Sequence, residues 1–247
     1  MKKLSIVIML LLLLPACSSG VGSPAYRVTP TRPPATATPD PSLKVVKIGE
    51  GPCVGVQSPE DAKTSLPGKD KTWSSPPEMT INRENTYCAI LTTEKGRMVL
   101  QLYPKIAPQH VNSFVFLARQ NFYDDTTFHR VLTDFMAQGG DPTGTGSGGP
   151  GYALPLETSS AALYDRVGVL GAARTTEPNT AGSQFFITFG PTPSLNPGAN
   201  GAGYTIFGQL VEGEATLRAI TLRDPQTNPT FSGDRLISVR IVELPAQ

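Results

Sequence analysis

Glycine and proline occur 24 times each in this 247-residue chain, about a fifth of all positions against roughly an eighth in average usage. No other feature restricts the fold as much. Proline inside a helix removes a hydrogen bond and clashes with the preceding turn, and glycine there costs backbone entropy. A coiled coil or long helical bundle is therefore excluded. What remains is a loop-rich fold, an unfolded segment attached to a fold, or both.

Pro24, Pro30, Pro33, Pro34, Pro39 and Pro41 fall in a Thr-, Ser- and Ala-rich stretch with almost no large apolar side chain. Such a composition buries too little surface to fold, and its prolines favour extended polyproline II. Residues 17–42 read as a tether that reaches up to roughly 75 Å at about 3.1 Å per residue. Ahead of it, Lys2 and Lys3 precede an apolar run over 4–14, then Pro15, Ala16 and Cys17. That order is an export signal, and the run is shorter than the about 20 residues a membrane span needs. Its end, Leu14-Pro15-Ala16-Cys17, resembles a bacterial lipobox, which implies that 1–16 is removed and Cys17 lipidated. The chain is thus expected outside the cytoplasm, held at a bacterial membrane by acyl chains on one residue. Loss of Lys2 and Lys3 takes the formal net charge of +1 to the acid side of zero. Neither anionic lipid nor nucleic acid would be held by charge.

Residues 43–78 are broken throughout by Gly and Pro and are expected to form an irregular extension docked partly on the domain over 79–247. In that domain the pattern is dense. Met98, Leu100 and Leu102 alternate with Val99, Gln101 and Tyr103, a strand. Val111, Phe114, Val115 and Ala118 come after Pro108 at helical spacing. Strand-like runs recur at 185–189, 205–211 and 236–244, the last with Ile237, Val239 and Ile241 alternating, and a short helix fits 214–220. Many short strands, two helices and glycine-rich turns predict a mainly β barrel or sandwich with helices at its ends. No heptad or broad apolar stripe is present, so a monomer is expected.

Two segments carry chemistry. One is Phe128-His129-Arg130-Val131-Leu132-Thr133-Asp134-Phe135-Met136-Ala137-Gln138-Gly139-Gly140-Asp141, the other Pro178-Asn179-Thr180-Ala181-Gly182-Ser183-Gln184-Phe185-Phe186-Ile187. Together they resemble the signature of the cyclophilin family of peptidyl-prolyl isomerases, over about residues 80–247. The resemblance implies a closed eight-stranded antiparallel β-barrel capped by two α-helices, and rotation of X-Pro bonds without a metal or other cofactor. It implies Arg130 as the cation that meets the twisted amide and Phe135, Met136, Phe186 and Leu195 as an apolar proline pocket. Gln138 and Gln184 would form its polar rim, and Ala173 and Arg174 the edge that pairs with the substrate backbone. Tyr204 stands where many eukaryotic members have a pocket histidine. Ser194 stands where they have a tryptophan that favours cyclosporin, so binding of that drug is not carried over. With the export signal, the implied partners are X-Pro segments of exported proteins still folding. A proline-motif binding module or chaperone without turnover would keep the same pocket but has no need of Arg130.

Other signals carry less. Gly144-Thr145-Gly146-Ser147-Gly148-Gly149 has the spacing of a dinucleotide loop, yet Pro150 and Gly151 occupy the positions where a helix would have to start. His110 and His129 are the only histidines, too few for an ordinary zinc site of His and Cys. With Cys17 lipidated, Cys53 and Cys88 remain, either as a disulfide permitted outside the cytoplasm or as two separate thiols.

Overall fold

The structure, a computed structural model, describes residues 45–59, 70–198, 201–227 and 229–246. The export signal 1–16, Cys17 and the tether to residue 42 lie outside the described residues, as do 43–44 and 60–69 of the extension. Among the described residues nine strands succeed one another as β1 (Thr86–Thr93), β2 (Gly96–Leu102), β3 (Thr126–Thr127), β4 (Arg130–Leu132), β5 (Met136–Gly139), β6 (Val169–Ala172), β7 (Phe185–Thr188), β8 (Ile206–Glu212) and β9 (Arg235–Leu244). Two helices, α1 (Pro108–Arg119) and α2 (Glu214–Ala219), come after β2 and β8.

All ladders are antiparallel, in the order β3-β9-β1-β2-β8-β6-β7-β5-β4. The fold is mainly β with two helices, as expected, but the count is nine and the ring is not closed by a ladder. β3 and β4 are two pieces of one run interrupted at Phe128 and His129, and among the described residues a bridge links Thr127 of β3 to Asp141, just past β5.

Period two separates the two faces. Met98, Leu100 and Leu102 of β2 point into the main core with Tyr87, Ala89 and Leu91 of β1, and Val111, Phe114, Val115 and Ala118 of α1 pack on them. Cys88, Ile90 and Val99 point outward, yet they are buried too, because residues 45–56 cover that face with Val46, Cys53 and Val56. The cover is bonded in place. Cys53 and Cys88 form a disulfide with Cα atoms 5.5 Å apart, Gly49 N–H donates to Val211 O at 2.8 Å, and Arg97 donates to Val56 O. Of the two cysteine readings, the disulfide is the one present.

β9 departs from simple alternation. Thr92 pairs with Ser238 and Thr93 with Leu236, so Ile237 is the extra residue of a bulge and faces solvent while Leu236 and Val239 are buried. The expected Ile237–Val239–Ile241 face is thereby split.

Candidate active site

The site is built on the outer face of the sheet. Arg130 of β4 is paired with Gln138 of β5, Gln138 with Phe186 of β7, and Phe186 with Gly171 of β6. Directly paired residues share a face, so one row across four strands carries the cation, an amide and a ring. The intervening residues Ala137, Phe185 and Ile187 point into the main core. Met136 and Phe186 belong to a separate outer cluster with Tyr164, Val169, Leu195 and Ile206. These side chains are pocket wall rather than barrel interior.

A cavity of about 200 Å³ opens there, below the about 300–1,000 Å³ of drug-sized sites, and suits one small ring with its amide. Phe135, Met136, Phe186, Leu195 and Tyr204 form its apolar walls, with Arg130, Gln138, Ala173 and Arg174 around them. Leu195 comes from a short 3-10 turn, Pro193–Leu195, whose last residue packs inward. Tyr204 N–H donates to Leu195 O at 3.1 Å, which ties the two walls together. Phe186 is held from both sides, stacked on Tyr164 at 5.7 Å and edge-on to Tyr204 at 5.9 Å. Gly171 makes room for it, since a Cβ there would collide with the Tyr164 hydroxyl and Phe186 Cζ. The sequence motifs mark neither Tyr164 nor Gly171, because a floor residue carries no chemistry of its own.

The two arginines differ in how their donors are occupied. Arg130 lies with its guanidinium carbon 5.9 Å from the Phe135 ring centre. Among the described residues its guanidinium has no hydrogen-bond or ion-pair partner, so its fork of donors is open to a ligand. Arg174 is the reverse. Its guanidinium donates to Gly203 O at 3.0 and 2.7 Å, to Thr175 O at 2.8 Å and to Thr176 O at 3.1 Å. It also lies 4.3 Å over the Tyr204 ring. Its side chain clamps the loop that presents Tyr204.

Gln184 stands apart from the other expected residues. It lines an adjoining, larger groove and meets the pocket through Gln138, whose Nε2 donates to its Oε1 at 2.9 Å, and through Ala173, whose N–H donates to its backbone O at 2.9 Å. Gln184 Nε2 in turn donates to Gly146 O and Gly148 O at 3.0 and 2.9 Å. That glycine-rich loop is shaped by Asp141, which accepts from Thr143 N–H and hydroxyl at 2.7 and 2.8 Å and from Gly148 N–H at 3.1 Å. Burial pushes the Asp141 carboxyl up, but bonds from Thr143, Gly148 and Gly146 outweigh it and hold the group below its usual range. His129, beside Arg130 in sequence, is buried, and this desolvation keeps its imidazole below the ordinary value although Asp141 pulls the other way. It is a neutral structural ring. His110 is likewise structural, its Nδ1 2.7 Å from the Glu157 carboxylate that also caps the start of α1.

A family model described as "Cyclophilin type peptidyl-prolyl cis-trans isomerase/CLD" matches residues 87–243, which contain every pocket residue. A peptidyl-prolyl cis-trans isomerase of Synechococcus elongatus is 44% identical over 155 residues, covering 62% of this chain and 95% of that protein. A peptidyl-prolyl cis-trans isomerase-like 1 protein of Gibberella zeae is 37% identical over 158 residues, covering 62% and 94%. The crystal structure of a Cryptosporidium parvum cyclophilin-type isomerase, obtained in the presence of the dipeptide Ala-Pro, superimposes with a TM-score of 0.56 at 33% identity, over 63% of this chain and 98% of that one. The chain belongs to the cyclophilin-type peptidyl-prolyl cis-trans isomerases and is an enzyme of that class.

Proposed function

We propose that this isomerase works outside the cytoplasm, tethered to a bacterial membrane through lipid on Cys17, and accelerates X-Pro rotation in exported proteins as they fold. Turning the bond breaks amide resonance, a barrier of about 18–20 kcal/mol, and unaided X-Pro exchange takes tens to hundreds of seconds. The twisted amide has a pyramidal prolyl nitrogen with a lone pair that the planar forms lack. A donor aimed at that lone pair binds the transition state more strongly than either ground state, which is the condition for catalysis. The carrying observation is the open guanidinium of Arg130 beside an apolar pocket of about 200 Å³. Phe135, Met136, Phe186 and Leu195 would grip the ring, while Gln138 and the Ala173 backbone hold the flanking peptide. Arginine suits the part because it stays charged and its fork fixes the donor directions.

A protease-coupled isomerisation assay on a short X-Pro peptide tests the arginine. Arg130→Ala should lower kcat/KM by about 100-fold or more, the scale set by removing one transition-state donor elsewhere. Equal rates in the two proteins would overturn its role. The anchor is tested separately, since Cys17→Ser should move the chain from the membrane fraction to the soluble one. A variant that stays with the membrane would refute lipidation at Cys17.

A further inference from the structure

Beside the proline pocket lies a larger groove of about 800 Å³. The two share Gln138, Ala173 and Arg174, so they are continuous along one surface. A peptide whose proline ring fills the small pocket must continue past it, and the groove gives its neighbours a path. Its walls are the 146–153 loop, the 182–184 turn, Thr175 and Thr180, mostly small and polar residues that leave room for an extended peptide.

One wall residue comes from elsewhere. Thr72 lines the groove, yet it precedes the family-matched region, which begins at residue 87. Its position is held by its neighbours. The Trp73 ring sits 5.2 Å from Phe116 and 5.9 Å from Phe122, and Trp73 N–H donates to Pro150 O at 2.9 Å. Gly151, at φ +93°, lets the two backbones touch, since a Cβ there would lie 2.6 Å from Trp73 O. Farther along, Asn112 of α1 accepts from Thr80 N–H at 2.9 Å and donates to Glu78 O at 2.9 Å. The segment is fastened to helix and loop at once.

We propose that the extension is a specificity element of the enzyme: Thr72, held in place by Trp73, forms a wall of the groove that selects the residues flanking the X-Pro bond. The inference rests on the proline occupying the adjoining pocket, as proposed above. It concerns which peptides are turned over, and leaves the bond rotation itself to Arg130.

The test compares kcat/KM for two X-Pro peptides, one with alanine flanks and one with aromatic flanks, in the full mature protein. Thr72→Phe narrows the groove and should lower the rate on the aromatic peptide about tenfold more than the rate on the alanine peptide. Trp73→Ala releases the wall and should move the ratio the opposite way, with thermal melting to establish that the variant is folded. An unchanged ratio in Thr72→Phe, or an equal change for both peptides, would overturn the inference. Failure of the underlying pocket reading has a different signature, namely an Arg130→Ala protein as active as the wild type on the alanine peptide.

Discussion

Among single residues, the two arginines of the pocket differ in how their donors are engaged. Arg130 keeps its fork open, whereas Arg174 binds three carbonyls and covers the Tyr204 ring. Hydrogen bonds from a charged group contribute about 1.5–3 kcal/mol each when partly shielded, so Arg174 acts as a positioning residue for the Tyr204 wall. Arg174→Ala should raise KM about tenfold with a smaller loss in kcat, and Arg174→Lys should rescue little, because a single ammonium cannot reproduce the fork. Steady-state kinetics on one X-Pro peptide checks this; a loss confined to kcat would contradict a positioning role. The motif residues are legible in the chain because Arg130, Gln138 and Phe186 carry distinctive chemistry at distinctive spacing. Arg174 is legible as an edge residue, but its clamp is not, since Gly203 is far from it in sequence.

Among the strands, β1 shows why some escape detection by periodicity. Thr86–Thr93 is buried on both faces, one by the main core and the other by residues 45–56, so no polar and apolar alternation remains to be read. The disulfide is part of the same cover. It closes a span of 35 residues, worth about 3–4 kcal/mol in the chain-entropy account. A Cys53→Ala/Cys88→Ala protein should lose stability on that scale in urea unfolding while its kcat on a short peptide stays near that of the wild type, because the pocket lies on β4 to β7 and the 193–204 loop. Unchanged stability would mean that the remaining contacts of 45–56 hold the cover without the bond. Short β4 and β5, three and four residues long, fall below what a periodic pattern can mark, and the motif alone locates them.

Across the whole molecule, pH reaches the site through its support. The folded imidazole of His129 titrates below its ordinary value because it is buried. The unfolded chain therefore takes up a proton near pH ~6.5 that the folded chain refuses, and stability falls as pH drops from about 6.5 toward the folded value. Asp141, held low by its loop hydrogen bonds, contributes stability above about pH 4 that is lost as pH falls through its folded value. Urea midpoints measured from about pH 8 downward should show these two declines in sequence. His129→Gln should flatten the first decline, and an unaltered slope would assign it to another group.

The class of fold, the family signature and the residues that line the pocket can all be read along the chain, as can the expectation of export and a tether. Those properties are local: a signal, a composition or a motif is carried by residues adjacent in sequence. Which face of the sheet bears the pocket is not local. Nor is it local that Arg130 is left unpaired among the described residues while Arg174 is engaged, or that Cys53 meets Cys88. Folding also brings Thr72, from a stretch rich in breakers, to the rim of the groove. Strand register and side-chain packing depend on contacts between residues remote in sequence, and no local pattern encodes which of two faces an extension will cover. The abundant glycine and proline exclude a helical fold; where they permit close approach, as at Gly171 and Gly151, is settled by the neighbours each one meets.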